Sequence, residues 1–566
     1  MKRRLLPMMM TLVLVCALPI WAAFVTSGDV TNPLVCTAWA DTAEGERNSG
    51  TTQETFTEVT DETTLKKAVA DGKSVRMTQD ITLTSSLCIE KAVTLDMDGH
   101  VLTRMHTYEY DMVVIRSDAT LTLIDSNTGN LQHRFNAGET GWTKAADNAT
   151  GDGIVTVTGG VIYGDAGRSI INPCGIKILK GKLEMYGGSI VGIRNVYNAN
   201  GGGVYVSDQC TFNMYGGSIK GCYVFSDGGG VYVAAGGTFT MSGSSAITNC
   251  KGSRGGAVYN AGTFTMRDNS HIADCIYNSS IASGGGVHNK GTFTVEGGSI
   301  TGSVNDHNRE QSSDDICNEN KLDVSEGITI SCNVNVGYGG TISKGTFTGR
   351  VWIFWEGTIL GGTFTNEVIN YEGTIKAGEF TGEVTNTSGG TISGGTFDKN
   401  VANESGATIS GGTFNENVTN KTNATLNGGI FYGGVTNDGG KIEDGAYETV
   451  KFNSDNGAQA KEEKVLRGQK VAKPTDDPTK SGYTFIGWED ADGAYDFSKS
   501  VTAPLTLTAK WEKNPSSGGY YYYPTTDTKA DDTKGSPKTA DPGVALYGVL
   551  SLLSLTGMVA LNGKKR

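Results

Sequence analysis

From Ser74 onward, apolar side chains alternate with polar ones, as in Val75-x-Met77, Ile81-x-Leu83 and Val93-x-Leu95-x-Met97 before the turn Asp98-Gly99. A period of two predicts short strands with one buried face. Just ahead of them Asp61 can cap a helix, Leu65, Ala68 and Val69 give it one apolar face, and Gly72 can close it. Such a helix would cover the open end of a stacked sheet, whose edge groups would otherwise lack partners. Three apolar seeds then repeat in phase. Gly-Gly-Gly/Ala-Val brings Val204, Val231, Val258 and Val287 at intervals of 27, 27 and 29. Thr-Phe-x-Met/Val brings Phe212, Phe239, Phe264 and Phe293, and a third position brings Ile190, Ile219, Ile247, Ile272 and Ile300. Three strand seeds per unit predict a three-sided solenoid, in which each coil gains its core by stacking on its neighbours.

After the loop 305–325 the repeat tightens to 16 or 17 residues. Ile342, Ile359, Ile375, Ile392, Ile409, Leu426 and Ile442 are followed five residues later by Phe347, Phe364, Phe380, Phe397, Phe414 and Phe431, and these by Val351, Val368, Val384, Val401, Val418 and Val435. Asparagine stands two residues after the valine at Asn370, Asn386, Asn403, Asn420 and Asn437, where stacked amides can bond along the column. Gly361-Gly362 and Gly411-Gly412 supply corners. About ten wide coils and seven narrow ones are expected from these spacings. Cys222, Cys250 and Cys275 share one phase, three residues after the isoleucine. They form either a stack of small buried side chains or a disulfide between neighbouring coils.

Composition agrees with many tight turns. Glycine numbers 80 among 566 residues, about twice its usual share of roughly 7%, without the Gly-X-Y period of collagen. The net charge of −13 and the absence of a basic domain argue against nucleic acid as a partner.

The helix followed by DITLTSSLCIEKAVTLDMDGH resembles the opening of pectin-lyase-like right-handed β-helices. Residues 449–512, with Val450-x-Phe452, Gly468, Pro474, Gly482-Tyr483-x-Phe485-x-Gly487-Trp488, Tyr495-x-Phe497 and Leu507-x-Ala509-x-Trp511, resemble the Listeria-Bacteroides repeat of internalin-type surface proteins. That resemblance implies a small β-grasp-like module serving as spacer or contact surface. The expected fold is therefore all-β: a right-handed parallel β-helix or β-solenoid rod followed by a β-grasp-like module.

The two ends carry addresses. Lys2-Arg3-Arg4, an apolar run from Leu5 to Val25 and Ala38-Trp39-Ala40 predict a signal peptide cut between Ala40 and Asp41, with an uncleaved signal anchor as the alternative. At the other end Ser536-Pro537-Lys538-Thr539-Ala540 precedes an uncharged run, 544–561, and the basic tail Lys564-Lys565-Arg566. The run is long enough to span a bilayer core of about 30 Å, and the tail orients it. This order resembles the variant Leu-Pro-x-Thr-Gly sorting signals of Gram-positive surface proteins, with Ser536 and Ala540 departing from the pattern. The resemblance implies a sortase that attacks the Thr539 carbonyl, cuts before Ala540 and passes the chain to a peptidoglycan precursor. An uncut membrane anchor is the other reading. The expected order is signal peptide 1–40, disordered lead 41–57, capped β-helix 58–335 with 25–29-residue repeats, narrow solenoid 336–448, repeat module 449–512, flexible linker 513–535 and sorting signal 536–566. Such a chain would be displayed outside the cell, held by the wall or by the membrane.

Candidate chemistry is sparse. Asp96, Asp98, Asp111, Asp125, Asp165 and Arg168 lie outside the repeat phase, unlike the aligned carboxylates a β-helix lyase or hydrolase would need. The six histidines show no local metal-ligand spacing, and no catalytic residue, cofactor or metal site is expected. The irregular segment 130–151, with Trp142, is expected to project from the rod, where function tends to sit. In Val351-Trp352-Ile353-Phe354-Trp355, alternation turns Val351 and Ile353 inward and exposes Trp352 and Phe354. Trp142, Trp352 and Trp355 are the candidate contacts for glycans, or for proteins, of a host or microbial surface; the alternative for the aromatics of the run 351–355 is that they seal the junction between the two solenoid sections. An adhesin or display protein is the expected function, with a wall-tethered polysaccharide lyase or hydrolase as the alternative.

Overall fold

The computed structural model describes residues 55–105, 110–127, 131–138, 141–164, 174–195, 200–278, 283–305 and 315–515. The signal cleavage site at Ala40 and Asp41, Asp165, Arg168, most of the lead and linker, and the whole sorting signal with its apolar run lie outside them. Among the described residues no helix is long and apolar enough to cross a membrane.

The helix forms at Glu62–Asp71 with Leu65, Ala68 and Val69 buried, and Gly72 closes it at φ 78°. The Asp61 carboxylate accepts from the Thr64 amide at 2.8 Å, satisfying a donor that a helix start leaves open. Glu62 ties the helix to the first coil by accepting from the Thr84 and Ser85 amides at 2.9 and 3.2 Å. Burial raises its pKa, but Lys66 and these donors outweigh that and bring it to about 2.

Beyond the helix the chain winds into coils stacked in parallel register. A seventeen-stranded sheet runs from Thr57–Val59 to Lys441–Ile442, and a fifteen-stranded sheet from Leu87–Ile89 to Val435–Asp438. Both pass unbroken through the change of period, so wide and narrow coils form one stack. Fifteen coils at about 4.8 Å each give a rod of roughly 70 Å. The third side changes identity. In the wide section it is an eight-stranded sheet ending at Ser299–Thr301, extended by five short strands; in the narrow section it is seven two-residue strands from Thr329–Ile330 to Ile430–Phe431.

Val287, Ile316, Val334 and Val351 are register partners, spaced 29, 18 and 17 residues apart. The short coil thus starts at Ile316, one coil ahead of the change expected at 336. The fifteen-stranded sheet has seven strands before that point and eight from it onward, against the ten and seven expected, because excursions such as 131–160 consume residues without adding coils. The aromatic column also changes sides at the transition. Phe293 is followed in its sheet by Leu322 and Ile342, while the new third side begins Ile330, Phe347. The phenylalanines stack within each section at 4.7–5.2 Å.

The excursion does not project as expected. Gln132–Gly138, Gly141–Lys144 and Ile154–Thr158 form an antiparallel sheet that lays Phe135, Trp142 and Val157 against Val101, Val161, Tyr163 and Val191 of the rod. Those strands are buried at consecutive positions instead of alternating, as in Val161–Tyr163 and Ser189–Val191, so their outer side needs this cover.

The far end is closed by the β-grasp-like module, a mixed five-stranded sheet, with Leu505–Lys513 between Tyr447–Asn453 and Tyr483–Asp490 and no helix across it among the described residues. Val450, Phe452, Trp488 and Leu507 fill its core. It docks on the last coil through main-chain bonds, Phe431 N to Arg467 O at 2.8 Å and Arg467 N to Ala446 O at 2.9 Å. Gly468, at φ 94°, permits this approach, since a Cβ there would stand 2.7 Å from the Phe431 nitrogen.

Candidate functional site

In the narrow section the corner between the two long sheets is a two-residue turn, closed by bonds such as Gly357 N to Phe354 O and Ala407 N to Glu404 O, at 2.8 and 2.9 Å. At four of these corners both central residues take positive φ: Tyr338 and Gly339 at 50° and 83°, Trp355 and Glu356 at 35° and 68°, Ser388 and Gly389 at 53° and 89°, Ser405 and Gly406 at 42° and 82°; elsewhere a single residue does, as Glu372 at 65° and Asn423 at 67°. Backbone of this hand favours Gly and Asn; other residues cost about 1–2 kcal/mol each. Three of these corners put glycine second. Trp355-Glu356 uses neither favoured residue, so strain is retained there.

The strained corner displays a cluster. Tyr338, Trp355 and Tyr371 are 51%, 44% and 40% exposed. Trp355 lies 4.9 Å from Tyr338 and 5.8 Å from Phe354, and Phe354 lies 6.2 Å from Tyr371, measured between ring centroids. Tyr338, Trp355, Glu356 and Glu372 line an open depression of about 470 Å³. Aromatic faces beside carboxylates that only accept hydrogen bonds suit a ligand with apolar C–H faces and hydroxyl or ammonium donors.

The same two coils break another pattern. Asparagine amides bond along one column, Asn260 to Asn289 to Asn318 at 2.7 Å per step, then Asn370 to Asn386, Asn403, Asn420 and Asn437 at 2.7–2.9 Å. They also brace the following corner, as where Asn370 Nδ2 donates to Gly373 O at 3.1 Å. Between Asn318 and Asn370 the register positions are Val336 and Ile353, which offer no amide. In consequence the buried Asn370 Oδ1 has no hydrogen bond. The unbraced coils are the ones whose corners carry Tyr338 and Trp355.

Of the three tryptophans expected to meet ligand, the structure exposes Trp355 well and Trp352 partly. Val351 and Ile353 are buried as alternation requires, and the Arg350 guanidinium sits 5.9 Å over the Trp352 ring. Trp142 is corrected: it is 4% exposed, pinned under the flap against Gly221, where a Cβ would stand 2.3 Å from the indole. Tyr338, Tyr371, Glu356 and Glu372 were not foreseen. An alignment of the short repeats corner by corner, setting Trp355-Glu356 against Ser388-Gly389 and Ser405-Gly406, holds that signal.

The acids of the first coils hold backbone together. Asp96 pairs with Arg76 at 2.7 Å and accepts from the Ser126 amide; burial would raise its pKa, yet these partners keep it below its ordinary value. Asp125 accepts from the Gly160 and Gly99 amides, and burial dominates to raise its pKa. Asp111 pairs with Lys177 at 3.2 Å and accepts from the Cys174 amide. Cys222, Cys250 and Cys275 are fully buried and unbridged, each with its thiol near the carbonyl of an isoleucine in the preceding coil, at 3.7–3.9 Å. Burial raises the Cys222 and Cys275 thiols well above their ordinary range. Among the described residues, His288, Cys317 and Glu319 bring potential ligand atoms within 4.8 Å of one another.

A parallel β-solenoid with covered ends and a displayed aromatic corner is the architecture of a rod that presents surfaces, and together with its end module it fits a surface protein. Residues 449–510 match the Listeria-Bacteroides repeat domain family. No curated protein and no solved structure matches the chain.

Proposed function

We propose that this chain is an exported, wall-anchored adhesin whose rod holds a non-catalytic glycan platform at Tyr338, Trp355 and Tyr371, with Glu356 and Glu372 as hydrogen-bond acceptors. The observation that carries the reading is the coincidence of exposed aromatics with a backbone that disfavours them: strain kept at a solvent-facing corner points to selection for a contact, since folding alone gains nothing from it. The ligand class is a neutral or amino sugar, because two carboxylates beside the rings repel uronic acids. A glycan and polysaccharide array, read for binding and for release of reducing or unsaturated ends, tests this. Binding without turnover, lost in Trp355→Ala, supports the platform; turnover would assign a polysaccharide lyase or hydrolase instead.

Anchoring rests on the sorting-signal resemblance, with sortase and the peptidoglycan precursor as partners. Thr539→Ala is expected to move the protein from the wall fraction to the membrane fraction, and unchanged covalent linkage to peptidoglycan would refute it.

A further inference from the structure

The outward middle positions of the fifteen-stranded sheet form a ladder, one side chain per coil in register: Tyr205, Tyr232, Tyr259, His288, Cys317, Asn335 and Trp352. Halfway along, where the coil shortens, its chemistry changes from aromatic to ligating. His288 Nε2 is 3.1 Å from Glu319 Oε1. With Cys317 Sγ they form a group of ligand atoms all within 4.8 Å of one another. Ligands around a tetrahedral zinc stand roughly 3.3–3.8 Å apart, so the group needs little closure.

Three further observations point the same way. His288 is 1% exposed, its Nε2 faces the Glu319 carboxylate, and its Nδ1 makes no hydrogen bond among the described residues; a buried ring nitrogen left without a partner is costly. Its ring is stacked on Tyr259 at 5.2 Å and 7°, which fixes the direction of its nitrogens. Asn335, the next rung beyond Cys317, is 3% exposed and its side-chain oxygen also lacks a hydrogen bond. Charge balances as well. The ligands alone, a thiolate, a carboxylate and a neutral imidazole, match a divalent ion, and Lys290 orients the carboxylate by holding its second oxygen at 2.9 Å.

We propose that His288, Cys317 and Glu319 bind a borderline divalent cation, Zn²⁺ foremost, with a fourth position left to water or to the Asn335 oxygen. Sulfur and imidazole donors select against Mg²⁺ and Ca²⁺. His288 belongs to the last wide coil and Cys317 and Glu319 to the first narrow one, so the ion would staple the rod where its period changes. No local motif announces the site, because its ligands come from two coils and meet only through the register.

The test uses the full chain in non-ionic detergent, stripped with a chelator under a phosphine reductant and titrated with Zn²⁺ and Co²⁺ alone. The expected results are one Zn²⁺ per chain by elemental mass spectrometry, a thiolate-to-cobalt charge-transfer band, and a thermal midpoint that rises with Zn²⁺ and falls back with chelator. Cys317→Ser should abolish the band and weaken Zn²⁺ more than about 100-fold; Cys275→Ser should change neither. Substoichiometric zinc in the wild type, or a band that survives Cys317→Ser, overturns the proposal. If Cys317→Ser does not fold, Glu319→Gln decides by zinc affinity: a loss on the order of 10-fold or more supports the site, and an unchanged affinity overturns it.

Discussion

The wide and narrow halves of the rod share two sheets and one core, yet they display different things. A wide coil has room for excursions, and it spends them on covering itself: the flap over the eight-stranded sheet buries Trp142 and closes an apolar outer side. A narrow coil has no such slack. Its core is one Ile, one Phe and one Val, its corners are two residues long, and whatever it shows to solvent must sit in the corner or on the outward rungs. Coil length thus decides whether an odd aromatic becomes packing or surface.

The sharpest way to break this comparison is to remove one aromatic from each half. Phe380→Ala, in a coil with three core side chains, is expected to cost about 4 kcal/mol by chemical denaturation, and Phe239→Ala less, because its coil holds more apolar neighbours. The reverse order would show that coil size does not set core sensitivity. A smaller effect separates the braced coils from the unbraced ones. Asn403→Ala should cost about 2 kcal/mol, since it opens the amide column on both sides, whereas Val336→Ala removes no amide bond and leaves the column as it is. Hydrogen exchange at the neighbouring corners should detect opening only in the first.

Smaller again is the strained corner. Trp355→Asn should leave stability unchanged or raise it by up to about 1 kcal/mol, because Asn tolerates this backbone region, while glycan binding is lost. A clear loss of stability would make Trp355 a packing residue and favour the junction seal. The smallest effect concerns the helix cap of the wide half. Because the Glu62 pKa is depressed to about 2 from 4.5, its contribution is present above pH 4.5 and disappears as pH falls through about 2. The stability difference between wild type and Glu62→Gln should shrink over that window; a constant difference would mean the carboxylate bonds do not hold the cap.

The strands, the helix with its caps, the cysteine column and the asparagine column were legible because each repeats a local rule: a period of two, a capping pair, a fixed phase. The flap was misjudged because its partner is the outer side of a sheet, and only the failure of alternation at Val161–Tyr163 hints that this side is dry. The change of coil escaped by one turn because Leu322 stands in for the phenylalanine it succeeds in register. Trp355 was legible as an aromatic out of pattern, but its acidic and tyrosine neighbours come from three consecutive corners, and sequence spacing does not reveal which corners face the same solvent.

In the narrow half, register partners such as Thr391 and Thr408, Phe397 and Phe414, and Asn403 and Asn420 repeat the same contacts one coil apart. Excising 391–407 would therefore rejoin like to like, and duplicating it would add a rung with its partners ready made. Rod length is thus a quantity that can change in whole steps of about 4.8 Å, one coil at a time. The corner at Trp355 lies ahead of these coils in the stack, so such a change would alter the rod's length and leave that corner's own contacts as they are.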